Sequence, residues 1–230
     1  MEPGGPVAVV VTGGDPIDPA TATDLPPGAL VVAADAGLDQ ALRLGLDVDV
    51  AVGDFDSVGP GTLAAAEAGG CEVERHPVAK DRTDLELALL AARARGARRI
   101  LVLGGHGGRL DHLVANVAVL SMPALASVPV EARMGPARLY LARPHLPVGF
   151  DAVPGELVTL LATGGRARRV RTHGLRYRLR GEDLGAGSSR GVSNEVVSLT
   201  VTVEVESGAV LVIRPDAGRG PQPAGAPSGR

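Results

Sequence analysis

The chain has 230 residues and a formal net charge of −3, enough for one large domain or two small ones around a buried core. That charge excludes a broad basic surface for nucleic acid, and no apolar run approaches the roughly 20 residues that a bilayer span needs. The single cysteine, Cys71, excludes an internal disulfide and argues against a Cys-based zinc site.

The start, Met1-Glu2-Pro3-Gly4-Gly5, lacks the basic-then-apolar pattern of a signal peptide, so the expected compartment is the cytosol. From there to about residue 135, short β-branched runs alternate with Ala/Leu-rich stretches of helical spacing. Residues 7–11, 29–34, 49–52, 72–75, 99–103 and 128–133 read as strands, several apolar throughout, as in a parallel sheet covered on both faces. Residues 38–44, 62–68, 84–95 and 110–120 read as helices. In the third, Leu85, Ala88, Leu89 and Ala92 make an i, i+3, i+4, i+7 stripe, and Gly96 follows at a C-cap position. This order predicts an α/β domain with a mostly parallel, doubly wound sheet over 1–135.

After residue 136 the helical stripes vanish. Residues 139–142, 156–162, 168–171, 175–179, 196–205 and 209–213 read as short strands. Val197, Leu199, Val201, Val203 and Val205 alternate with polar residues as on a half-buried strand, and Ser207-Gly208 reads as a hairpin turn. An antiparallel β-sandwich domain is expected over 136–214, and a Gly/Pro/Ser-rich tail without structure over 215–230.

The chemistry collects after the strands. Asp35 follows the second, Asp54 and Asp56 the third, Asp81 and Asp84 the fourth, and the segment 104–111 the fifth. In a parallel sheet these strand ends share one edge, where open α/β folds bind ligands. Each aspartate alone also fits a turn or a helix cap; the set converging on one crevice does not. Two carboxylates about 4 Å apart repel by roughly 4 kcal/mol at an effective dielectric near 20, so converging acids take up protons or a cation. All-oxygen donors suit Mg²⁺ shared with substrate phosphates, while the histidines show no zinc-ligand spacing. Gly104-Gly105-His106-Gly107-Gly108-Arg109-Leu110-Asp111-His112, between a strand and a helix start, suits an anion, with Arg109 as a forked phosphate contact. It is neither a Walker loop nor G-x-G-x-x-G. Among 23 basic residues only Lys80 is lysine, a sign that an ammonium is wanted there.

On these residues the chain resembles the thiamine pyrophosphokinase (thiamine diphosphokinase) family. The resemblance rests on Ala34-Asp35-Ala36-Gly37, Gly53-Asp54-Phe55-Asp56-Ser57, Lys80-Asp81-Arg82-Thr83-Asp84 and the glycine segment ending Arg109-x-Asp111-His112. It continues with Thr172-x-Gly174-Leu175-x-Tyr177-x-Leu179 and Gly191-x-Ser193-Asn194, and covers nearly all of the chain except the tail. It implies a homodimer with active sites at the subunit interface, ATP and Mg²⁺ on the α/β domain, and thiamine held with help from the partner's β-sandwich. Asp54, Asp56 and Asp84 match the family's metal-site acids, with Arg109 as the phosphate contact. Asp35, Gly37, Lys80, Asp81, Thr83, Gly104, Gly105, Gly108, Asp111 and His112 fall on the nucleotide side, and Tyr177, Ser193 and Asn194 on the thiamine side. The implied reaction moves the diphosphoryl group of ATP to the thiamine hydroxyl and releases AMP. Two departures stand out: Ala36 replaces a common glycine, and Tyr177 stands where many members carry tryptophan.

Three rivals differ in identifiable ways. A diphosphokinase acting on 6-hydroxymethylpterin would share the metal-phosphate side and differ in the β domain. A non-catalytic nucleotide- or thiamine-binding regulator would be expected to lose metal-site acids. A DxD-type glycosyltransferase would not call for the downstream acids together with the Gly-Arg-x-Asp loop.

Overall fold

The computed structural model of the chain describes residues 5–217. Tertiary contacts divide it into two units, one running through Gly135 and taking in Leu139–Leu141, the other holding Pro136–Arg138 and the chain from Ala142.

The first unit is built on β1 (Val7–Thr12), β2 (Leu30–Ala34), β3 (Val50–Gly53), β4 (Glu72–Arg75), β5 (Arg99–Gly104) and β6 (Val130–Met134). They pair in the order β4-β3-β2-β1-β5-β6, and every pairing in that series is parallel. Ala8, Val9, Val10 and Val11 are all fully buried, so both faces of β1 are covered, as its unbroken apolar run requires. The helices are α1 (Gly37–Arg43), α2 (Pro60–Ala68), α3 (Asp84–Ala94) and α4 (Leu110–Val119). The α3 helix starts where the Thr83 hydroxyl accepts a hydrogen bond from the Glu86 amide, and it buries Leu85, Ala88, Leu89 and Ala92. By contrast, α4 buries none of its residues. This is the expected α/β architecture with a mostly parallel sheet. Strands 2 to 4 extend from one side of β1 and strands 5 and 6 from the other, which puts the topological switch between β1 and β5.

The second unit is antiparallel. After β7 (Ala137–Ala142), which straddles the division, come β8 (Val148–Asp151), β9 (Leu157–His173), β10 (Arg180–Leu184), β11 (Asn194–Glu195), β12 (Thr200–Glu204) and β13 (Ser207–Arg214). The expected strands 156–162 and 168–171 are one 17-residue strand, β9, and β8 was not expected at all. The predicted hairpin at Ser207-Gly208 does not form. Thr202, Val203 and Glu204 pair with His173, Thr172 and Arg171, and the ladder continues to Ser207 opposite Arg168. It then slips in register before Ala209 meets Thr163. Ser207-Gly208 is therefore a bulge on a continuing ladder, with Gly208 at φ 85°. A Ser-Gly pair signals a chain reversal only when no long partner strand continues beside it, and here β9 does. The predicted strand 196–205 shortens to β12 for a related reason. The Val197 amide donates to the Gly174 carbonyl, and the chain there follows a loop that leaves Val197 and Leu199 exposed. Beyond residue 217, the tail expected to lack structure lies outside the described residues.

One sequence feature is settled by packing alone. A Cβ at Gly37 would lie 2.1 Å from the Val11 carbonyl oxygen, because α1 starts hard against β1. Gly37→Ala should cost about 1–3 kcal/mol through forced backbone shifts. Urea unfolding reads this as a lowered midpoint at constant m, and an unchanged midpoint would refute it.

Candidate active site

Loops at the carboxyl ends of β2, β3 and β4 bring Asp35, Asp54 and Asp84 together, with one carboxylate oxygen of each within 4.8 Å of the others. Asp35 adopts φ 45°, a left-handed turn held by its amide donating to the Val52 carbonyl at 2.9 Å. Asp84 opens α3. Gly53 leaves the space they need: a Cβ there would lie 3.1 Å from the Asp35 Cβ and 3.2 Å from Asp84 Oδ1.

Lys80 supplies a cation of the chain's own. Its Nζ donates to Asp54 Oδ2 at 2.6 Å and stands 2.8 Å from Asp84 Oδ1, with its side chain 12 % exposed. Burial works against this ammonium, but its contacts to Asp54 and Asp84 prevail and raise its pKa. The same hydrogen bond holds the Asp54 carboxyl below its ordinary range. Asp35 moves the other way: burial pushes its pKa up, the Ala36 amide opposes this, and the charges of Asp84, Asp54 and Asp56 add to it. Asp35 Oδ1 is buried without a hydrogen-bond partner among the described residues. One ammonium thus faces three carboxylates. An orphaned carboxylate oxygen within an all-oxygen donor set fits a hard divalent cation such as Mg²⁺.

Beside this cluster, at the switch between β1 and β5, two glycine loops are stitched together. The Gly105 amide donates to the Gly13 carbonyl, and the Asp15 amide to the His106 carbonyl, each at 2.9 Å. Buried Gln40 donates to the carbonyls of Gly14 and Asp15, and Asn116 on α4 donates to that of Gly105. Arg109 and Asp111 form a surface fork at the start of α4, with Arg109 Nε 3.1 Å from Asp111 Oδ1.

In the second unit, the segments 172–179 and 191–194 interlock. The Thr172 hydroxyl accepts from the Leu179 amide at 2.9 Å, and the Thr172 amide donates to the Leu179 carbonyl, closing a loop between them. Asn194, only 4 % exposed, spans that loop: its Oδ1 accepts from the Tyr177 amide at 3.0 Å and its Nδ2 donates to the Tyr177 carbonyl at 2.9 Å. The Tyr177 residue held this way is 69 % exposed. Gly191 is buried against β9, and Ser193 stands exposed at φ 55°.

Comparison with known proteins decides the family. Residues 27–131 match the model of the thiamin pyrophosphokinase catalytic domain, and residues 148–210 that of the thiamin pyrophosphokinase vitamin B1 binding domain. The chain belongs to the thiamine pyrophosphokinase family. It is 25% identical over 192 residues to the thiamine pyrophosphokinase of Bacillus subtilis, covering 80% of this chain and 86% of that protein. The crystal structure of the Bacillus subtilis thiamine pyrophosphokinase shares the fold at a TM-score of 0.77 and 24% identity, over 90% of this chain and 98% of the other. That of the Geobacillus thermodenitrificans thiamin pyrophosphokinase gives 0.74 and 27%, over 90% and 96%.

Within this chain, the geometry sorts the residues singled out in the sequence. Asp35, Asp54, Asp84 and Lys80 come together. Asp56 lies outside the three-carboxylate cluster, exposed and accepting from the Ser57 hydroxyl at 2.9 Å. Asp81 and His112 are exposed, Thr83 caps α3, and Asn194 is buried behind Tyr177. Sequence reasoning passed over Thr12-Gly13-Gly14-Asp15, although a strand running into two glycines is the same signal that marked Gly104-Gly105. Removing the Asn194 amide should free the Tyr177 main chain. In Asn194→Ala, amide hydrogen exchange at residues 176–179 should rise at least tenfold while the β9 ladder with β13 stays protected. Unchanged exchange at 176–179 would show that the loop holds itself.

Proposed function

We propose that the protein is a thiamine diphosphokinase, transferring the diphosphoryl group of ATP to the thiamine hydroxyl to give thiamine diphosphate and AMP. The observation that carries this reading is the meeting of Asp35, Asp54, Asp84 and Lys80 on the sheet edge beside the stitched glycine loops. Family models for catalysis and vitamin B1 binding on the two halves of the chain support it.

In this reading the thiamine hydroxyl attacks the β-phosphorus in line. A new P–O bond forms as the bond to the α-phosphate oxygen breaks, the hydroxyl proton passes to a basic group of the site or to water, and AMP departs. Asp54 and Asp84 would hold Mg²⁺ with Asp35 beside them, and Asp56 is close enough in sequence to join from the exposed rim. Mg²⁺ when bound would neutralise phosphate charge and ease its shift onto the leaving group. Lys80 and Arg109 would balance the remaining charge. The amides of the 104–108 loop and the start of α4 would steady the phosphates. Ser193 and the exposed ring of Tyr177 would meet thiamine, whose thiazolium cation gains about 0.5–2 kcal/mol over an aromatic face. A tyrosine face is a weaker platform than tryptophan.

We also place the enzyme in the cytosol, where a reducing compartment suits its one thiol, the buried Cys71. No helix of the described residues is long and apolar enough to cross a membrane. We read the protein as a homodimer with active sites at the subunit interface. The α4 helix supports the second copy: it buries no residue, and Leu110 and Val114, one turn apart, are 73 % and 60 % exposed. Val114→Asp should shift the sedimenting species toward the monomer, and an unchanged dimer would remove α4 from the interface.

Purified protein with ATP, Mg²⁺ and thiamine should release AMP and thiamine diphosphate in equal amounts. AMP formed only with 6-hydroxymethylpterin would replace the alcohol, and turnover of neither would favour a regulator. Asp54→Asn should lower kcat by about 10²-fold or more with the fold intact. Near-normal turnover would take Asp54 out of the site.

A further inference from the structure

The same three carboxylates that would hold a divalent cation are already compensated by a side chain of the protein itself. Lys80 Nζ lies 2.6 Å from Asp54 Oδ2 and 2.8 Å from Asp84 Oδ1, two carboxylates of the group that a metal would draw on. An ammonium and a divalent ion held by the same two carboxylates repel each other and compete for their lone pairs. We propose that Lys80 is the built-in counter-ion of this cluster, closing it to free Mg²⁺ until nucleotide phosphates draw the ammonium away.

Three features of the molecule support this. First, Lys80 is the one lysine among 23 basic residues. An ammonium is a compact charge on a flexible stem that can leave one anion for another, whereas a guanidinium fork binds carboxylates more rigidly. Second, Lys80 stands four residues before Asp84 in a segment whose next three residues, Asp81, Arg82 and Thr83, are exposed, so the tip can swing without unpacking a core. Third, the compensation is incomplete. Asp35 Oδ1 remains buried with no hydrogen-bond partner among the described residues, so the cluster keeps an attraction for a stronger cation that brings its own anion. Nucleotide supplies that anion: its phosphates offer Lys80 a second place to go, and the metal gains both carboxylates and phosphate oxygens. Metal and nucleotide would therefore enter as a pair, with little metal held by the free protein.

This inference rests on the site reading proposed above, and its test separates the two. Mg²⁺ alone is titrated calorimetrically into nucleotide-free wild type, Lys80→Gln and Lys80→Arg, with circular dichroism as the check on folding. Lys80→Gln should bind Mg²⁺ at least tenfold more tightly than wild type, and Lys80→Arg should stay within threefold of it. Equal or weaker binding in Lys80→Gln overturns the proposal, as does equally tight binding in Lys80→Arg. Should Lys80→Gln fail to fold, the wild type still answers, because its only ε-amine reports on itself. Millimolar Mg²⁺ without nucleotide should leave the extent of Lys80 acetylation unchanged by mass spectrometry, and a several-fold rise overturns the proposal. If thiamine diphosphate is made but Lys80→Gln binds Mg²⁺ no more tightly, or Mg²⁺ alone raises acetylation, this inference alone fails. If both readouts come out as expected and no alcohol substrate is turned over, the functional reading fails instead.

Discussion

Carboxylates packed within a few ångströms of one another hold their charge only when something positive lies among them, and the first unit is organised around that constraint. Three chain segments end at Asp35, Asp54 and Asp84, and each is delivered by a different βα connection of one parallel sheet. With neither Lys80 nor a metal among them, these carboxylates would only repel one another. With it, Asp54 is held below its ordinary range, while burial and the neighbouring carboxylates push Asp35 up, against the Ala36 amide. The acids are held by turns that the buried sheet anchors, and the lysine hangs from a surface segment. Fixed anions with a movable cation make a site that can exchange its counter-ion without rearranging its frame.

The second unit solves a different problem. It must present polar and aromatic groups from loops rather than from strand ends, and loops need bracing. Asn194 does this by satisfying both main-chain groups of Tyr177, a residue 17 positions away, while the Thr172–Leu179 pair closes the base of the same loop. Residues that look like ligands by motif can thus serve as the scaffold of the exposed ones.

Much of the first unit was legible because its signals are local. Continuous apolar runs such as 7–11 and 99–103 are read directly as buried parallel strands, and polar residues after them fall on the carboxyl edge. What escaped depends on backbone angles and on partners far along the chain. Asp35 joins the acids because it turns inward at φ 45°, while Phe55, buried at φ 60°, leads into an exposed Asp56. The charge of Lys80 could be read from the sequence, but not that its partners would be the acids rather than a phosphate. The Ser207-Gly208 bulge needed knowledge of β9, whose length was hidden by Gly164-Gly165 in its middle. The paired role of Gly13-Gly14 with the 104–108 loop became visible only once β1 and β5 were neighbours at the switch point.

The most direct measurement is a crystal structure of the protein with Mn²⁺ in place of Mg²⁺ and a non-hydrolysable ATP analogue, with the metal located by anomalous scattering. The account predicts an ion within about 2.0–2.3 Å of carboxylate oxygens of Asp54 and Asp84, and Lys80 Nζ moved from them onto phosphate oxygens. An ion bound elsewhere, or Lys80 still bridging Asp54 and Asp84 beside a bound nucleotide, would contradict it.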